Sequence, residues 1–181
     1  KQFKKEKFLV LSAHPDDLDF CVSGTIAKLT QQGNEVIYCI VTNGEKGIHK
    51  VKASRQKIIR MRQEEQKGAA KILGVKKVIF LNEKDGEVEN TRALRKKLVR
   101  VIREVRPEIV ISFDPANLDF DNFPSYHRDH RVVAEAVFDS LYPAAGNPAF
   151  FSDLKIEPHT LKEVRFFAAP CPNLGIDISL S

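Results

Sequence analysis

At 181 residues and 43% hydrophobic, the chain can bury one substantial core and reads as a single domain over 1–181. Its net charge of +5 gathers in Lys1, Lys4, Lys5 and Lys7 and in the stretch Arg92 to Arg106, with no aromatic-and-glycine signature or zinc-knuckle spacing to make nucleic acid a partner. No run approaches the ~20 apolar residues of a membrane helix, Phe8 to Leu11 is too short for a signal-peptide core, and Cys21, Cys39 and Cys171 are too scattered for a disulfide framework, so a cytoplasmic protein without a membrane span is expected.

Phe8 to Ala13 is an apolar run that predicts a buried strand. A helix comes next, from about Asp19 to Gln32, stopped by Gly33. Glu35 to Thr42, rich in β-branched residues, predicts a second strand. After the polar loop Asn43 to Lys52, a long helix runs from about Ala53 to Leu73 and ends at Gly74. Lys77 to Leu81 is a short third strand. Beyond the Asp85-Gly86 turn a helix starts near Thr91, with Leu94, Leu98, Val101, Ile102 and Val105 on one face. Pro107 breaks it, and Glu108 to Phe113 forms a fourth strand. The acidic, aromatic loop Asp114 to Ser125 leads to a helix with Val132, Val133, Ala136, Val137 and Leu141 as its apolar stripe. Pro143 to His159 is irregular; Leu161 to Ala169 predicts a fifth strand and Gly175 to Leu180 a sixth.

Strands alternating with helices predict an α/β fold, a Rossmann-like three-layer αβα sandwich on a mostly parallel sheet of five to six strands. Right-handed crossovers favour the order 3-2-1-4-5. That order sets strands one and four side by side at the topological switch point. The segments leaving those two strands must therefore converge.

Both segments are polar. Ala13-His14-Pro15-Asp16-Asp17 leaves the first strand, and Tyr126-His127-Arg128-Asp129-His130 opens the helix after the fourth. His14 and Asp17, three apart around a tight turn, can chelate one ion, and His130 is the expected third ligand. Two histidines and one carboxylate leave a coordination position open for water, the arrangement of a catalytic zinc. Adjacent aspartates do not aim at one point, so Asp16 is free to act as general base. A protonated His127 would stabilise an oxyanion or donate a proton to a leaving amine, and Asp129 would orient a histidine. Tyr126 would add a hydroxyl near the oxyanion. Metal-assisted hydrolysis of an amide or ester is the implied reaction.

Two other classes compete. A nucleotide-binding module would need Gly-x-Gly-x-x-Gly at the first strand–helix junction, where this chain offers carboxylates. A receiver-type signalling domain would carry an aspartate at the end of strand three, where Leu81-Asn82-Glu83 has none.

The same residues resemble the PIG-L/LmbE-like zinc-dependent N-deacetylases. AHPDDLDFCVSGTIAKL, from Ala13 to Leu29, resembles the opening motif of that family, and His127-Arg128-Asp129-His130-Arg131 its closing one, with Arg128 where proline is usual. Thr42-Asn43-Gly44-Glu45 with Gly47, Arg62-Gln63-Glu64-Glu65 through Leu73-Gly74-Val75, and Asp85-Gly86 match further stretches. The resemblance implies zinc, or another divalent transition metal, on His14, Asp17 and His130, with Asp16 as base, His127 on the oxyanion and Asp129 orienting. It implies that Arg62 and Asp85 line a sugar pocket. It also implies removal of acetyl from an N-acetylglucosamine-type sugar or conjugate, or cleavage of another acylated metabolite, by an enzyme that assembles into trimers or hexamers. Relatives continue past a Val-Asp-Ile-Ser-like strand into a further helix with another histidine, so a shortened C-terminal segment is expected here, where Ile176-Asp177-Ile178-Ser179 lies close to Ser181.

Overall fold

The computed structural model describes residues 5–47, 53–117 and 127–179. Five strands make one sheet: β1 (Lys7–Ser12), β2 (Glu35–Thr42), β3 (Lys77–Glu83), β4 (Ile109–Phe113) and β5 (Glu163–Phe167). Their order is β3-β2-β1-β4-β5 and every pairing is parallel. The expected order is therefore observed. Phe8, Leu9 and Val10 of β1 lie opposite Ile109, Val110 and Ile111 of β4, which brings the ends of these two strands together.

Alternation along the strands divides the core between two faces. Phe8 and Val10 of β1, with Val36, Tyr38 and Ile40 of β2, pack under Leu18, Ile26, Leu29 and Ala70. Those residues come from α1 (Asp17–Cys21), α2 (Ser23–Gln31) and α3 (Arg55–Ile72). Leu9, Leu11, Ile37, Cys39 and Val110 point the other way. They meet Leu94, Leu98 and Ile102 of α4 (Arg92–Val105) and Val133 and Val137 of α5 (Arg128–Asp139). Thr91 caps α4 by accepting the Leu94 N–H, which stops the helix unravelling toward the Asp85-Gly86 turn.

The structure corrects the sequence reading in three places. The first helix starts at Asp17 and splits at Val22, whose backbone (φ −138°, ψ 6°) is not helical, so α1 and α2 are separate. β3 continues to Glu83, which pairs with Thr42 beyond an irregularity in β2. The sixth strand does not form among the described residues of 175–179. That segment lies instead on α2: the Ile178 side chain fills the space a Cβ on Gly24 would need, and Lys28 Nζ donates to the Asp177 carbonyl. Arg103, 2% exposed, donates to the carbonyls of Ala144, Ala145, Asn147 and Phe150 and so ties α4 to the irregular segment after α5.

Candidate metal centre

The turn after β1 carries His14 to Asp17, and the first turn of α5 carries His127 to His130; adjacency of β1 and β4 brings them into contact. His14 Nδ1 is 3.2 Å from His130 Nε2. His130 Nε2 is 3.0 Å from Asp17 Oδ1, and His14 Nδ1 is 3.6 Å from Asp17 Oδ2. Ligands roughly 2.0–2.1 Å from a tetrahedral ion stand about 3.3 Å apart, so the two imidazoles and the Asp17 carboxylate form a triangle of that scale, with the carboxylate meeting the two rings through different oxygens and its Oδ2 also accepting the His14 backbone N–H at 2.7 Å. Two imidazole nitrogens at this separation need a proton or a cation between them. The donor set therefore fits a divalent metal.

His14 has two sides, and its surroundings distinguish them. On the side opposite His130, Nε2 lies 3.2 Å from Asp129 Oδ2 and 3.3 Å from Asp85 Oδ1. Ligand atoms lie close enough for a metal-sized group in two sets, His14 with His127 and His130, and His14 with Asp85 and Asp129. These two carboxylates, however, are already engaged. Asp129, 0% exposed, accepts the Gly86 N–H at 2.6 Å and the Val88 N–H at 3.3 Å, while Asp85 accepts the Lys46 N–H at 2.9 Å. Nε2–H of His14 donates to them and Nδ1 is left to face the triangle, the carboxylate–histidine–metal relay of many metal sites.

Electrostatics reflect this arrangement. Burial opposes charge on His14, but its hydrogen bonds to Asp129, Asp17 and Asp85 outweigh burial and raise its pKa to about 11. Asp17 is buried, which alone would favour the acid, yet the bonds from His130 and His14 hold its carboxyl below the usual range. A pocket that stabilises positive charge so strongly suits a cation. Asp16 differs. Partial burial raises its pKa, and the Arg62 guanidinium offsets only part of that rise.

His127 is the N-cap of α5, and its Nδ1 accepts the Asp129 N–H at 3.1 Å. That bond assigns the ring proton to Nε2. Burial lowers the His127 pKa, and the charges of His14 and His130 lower it further. The ring stands edge-on to His14, with centroids 4.6 Å apart. His127 thus offers a neutral N–H donor rather than a protonated ring.

Arg62, on α3, donates to Pro15 O at 2.6 Å and to the Asp16 carboxylate, joining the first motif rather than standing free on the surface. Asp85 is expected from the sequence at a sugar pocket; it is 5% exposed, and its carboxylate faces His14 and the Lys46 backbone. Tyr126 lies outside the described residues. The Asn43-Gly44 turn packs on Pro15: Gly44 has φ 63°, and a Cβ there would come within 2.8 Å of Pro15 Cδ. Two participants escape the sequence reading. Phe113, the last residue of β4, stacks on His130 with centroids 4.4 Å apart, and Gln66 accepts the Asp16 N–H at 2.9 Å. Phe113 is legible in the sequence only as a core strand residue, and Gln66 only as one polar residue among many on α3.

The family described as PIG-L, GlcNAc-PI de-N-acetylase, matches residues 9–141, a span that contains both motifs. The chain belongs to the PIG-L family. Among PIG-L relatives, diacetylchitobiose deacetylase of Thermococcus kodakarensis is 38% identical over 177 residues, covering 96% of this chain and 64% of its own length. A probable N-acetyl-alpha-D-glucosaminyl L-malate deacetylase 2 of Bacillus anthracis is 33% identical over 153 residues, covering 80% of this chain and 64% of its own. The solved structure of N,N'-diacetylchitobiose deacetylase from Pyrococcus horikoshii, complexed with its inhibitor MPG, superposes with a TM-score of 0.88 at 31% identity, again over 96% of this chain and 64% of that one. The chain thus spans just under two thirds of the length of these three relatives. No helix among the described residues is long and apolar enough to cross a membrane.

Proposed function

We propose that this PIG-L chain is a metal-dependent de-N-acetylase acting on an N-acetylglucosamine-type sugar or conjugate. The observation that carries the reading is the triangle of His14 Nδ1, His130 Nε2 and Asp17, with the Asp16 carboxylate on the adjoining residue. Zinc, or another divalent transition metal, would be held by His14, Asp17 and His130 and would supply Lewis acidity, lowering the pKa of water from 15.7 toward ~7 and polarising the acetamide carbonyl.

The chain's own groups do the rest. Asp16, its basicity raised by burial, takes a proton from the attacking water as the new C–O bond forms. Negative charge then gathers on the former carbonyl oxygen, toward which His127 donates its Nε2–H. Because Nδ1 of His127 is tied to the Asp129 N–H, the ring is already oriented for that bond. Asp16 returns its proton to the amine nitrogen as the C–N bond breaks, and acetate and the free amino sugar leave. Asp129 and Asp85 position His14, and Arg62 positions Asp16.

Names of relatives guide the substrate panel: diacetylchitobiose and the N-acetylglucosaminyl malate conjugate. Elemental analysis of the purified protein, combined with primary-amine release from that panel, tests the reading. Metal bound and amine released supports it. Metal without amine release from any acetylated sugar sinks the sugar reading and favours another acylated metabolite. The reading extends to a homo-oligomer, trimer or hexamer, checked by solution mass, and to the cytoplasm, with which three free cysteines agree.

A further inference from the structure

Asp16 has φ 103° and ψ −29°, a backbone region that residues bearing a Cβ seldom occupy. Two side chains of α3, one helical turn apart, hold it there. Arg62 donates to Pro15 O at 2.6 Å, and Gln66 Oε1 accepts the Asp16 N–H at 2.9 Å. Pro15 O and Asp16 N–H are the two polar ends of a single peptide plane. The plane is therefore gripped at both edges, and rotating it to relieve the positive φ of Asp16 would break both bonds. Gln66 is 1% exposed, so its amide reaches the Asp16 N–H from within the fold. Its own orientation is assigned by its other end: Nε2 donates to Asp19 at 3.2 Å and 3.4 Å, which leaves Oε1 as the acceptor for Asp16.

We infer that Gln66 is a positioning residue for the general base: its amide, oriented by Asp19, locks the Pro15–Asp16 peptide and so aims the Asp16 carboxylate. This rests on the deacetylase reading of Asp16, and it adds a residue from a different segment of the chain to the machinery. A merely structural glutamine would contribute to stability and leave the chemistry alone. A positioning one controls kcat.

The test uses the whole protein with its metal. Gln66→Leu should lower kcat by about 100-fold, the scale of a misplacement of about 1 Å, with KM and metal content within about twofold of the parent. Gln66→Glu alone should also lose activity, because its second oxygen meets the Asp19 carboxylate. Combining Gln66→Glu with Asp19→Asn restores a donor opposite an acceptor and should recover kcat to within about threefold of the parent. Unchanged kcat in Gln66→Leu would overturn the inference. So would activity losses that track folded fraction by circular dichroism, with no recovery in the double variant. A crystal structure of Gln66→Leu supplies a readout independent of turnover: residue 16 still at positive φ, with its carboxylate unmoved, would overturn the inference whatever the substrate. If the parent itself releases no amine from any acetylated sugar, the deacetylase reading fails first and the residue 16 conformation still decides on Gln66.

Discussion

The Asp129 carboxylate lies 3.2 Å from Nε2 of His14 while accepting the Gly86 and Val88 N–H groups. One buried side chain thereby joins the turn after β3, the start of α5 and the ring proposed to ligate the metal. Asp129→Asn would place an amide N–H₂ among donors that already point at this oxygen. Metal affinity should fall about 10- to 100-fold, the usual cost of losing such a support. Competition with a chromophoric chelator measures it, and affinity equal to the parent would show that His14 is oriented by other means.

Asp16 and His130 should separate by what each variant retains. His130→Ala removes a corner of the triangle, and bound metal should drop below stoichiometry by elemental analysis. Asp16→Asn should keep its metal while kcat falls about 10³-fold, as expected for loss of a general base. Metal loss in both variants would assign Asp16 to coordination.

His127 combines two effects that magnitudes can divide. As N-cap of α5 its loss should cost about 1 kcal/mol of stability, whereas losing an oxyanion donor should cost about 10²- to 10³-fold in kcat. His127→Asn can still cap the helix but cannot present Nε2–H. It should unfold at the same denaturant midpoint as the parent and turn over slowly; a midpoint shift with normal kcat would leave His127 as a cap alone.

Metal binding should release protons. With its pKa raised to about 11, His14 is protonated at pH 7 in the absence of metal and must give up that proton to expose Nδ1. Affinity therefore rises with pH, about tenfold per unit below the His14 pKa, and about one proton leaves per metal bound near pH 7. Titration calorimetry in buffers of different ionisation enthalpy counts that proton. A count of zero would mean the ring already faces the metal unprotonated.

Arg103 supplies a contrast remote from the chemistry. Its guanidinium is buried among backbone carbonyls, and Arg103→Met would leave those acceptors unpaired. Unfolding free energy should fall by about 3 kcal/mol or more, while kcat of the folded fraction holds. Denaturant titration beside kinetics checks both halves.

The strands are legible in the sequence because a sheet covered on both faces is made of short apolar runs, and Glu35 to Thr42 appears with the bounds read from the chain. Crossover handedness then implies the strand order, and with it the meeting of His14 and Asp17 with His130. Local rules fail where tertiary neighbours compete. Val22 interrupts a pattern that reads as one helix, and 175–179 lies on α2, although its residues suit a strand.

Residue types and spacing alone determined the α/β class, the convergence of two clusters and the chemistry their nitrogens and oxygens allow. Only the tertiary structure decided which nitrogen of His14 faces the triangle, why His127 is a neutral donor, and that Asp85 is buried beneath His14. Each depends on which partner occupies the other end of a side chain: Asp129 reaches His14 and the Lys46 N–H reaches Asp85 from segments far apart in the chain, while the Asp129 N–H, two residues from His127, meets its ring only in the cap geometry of α5.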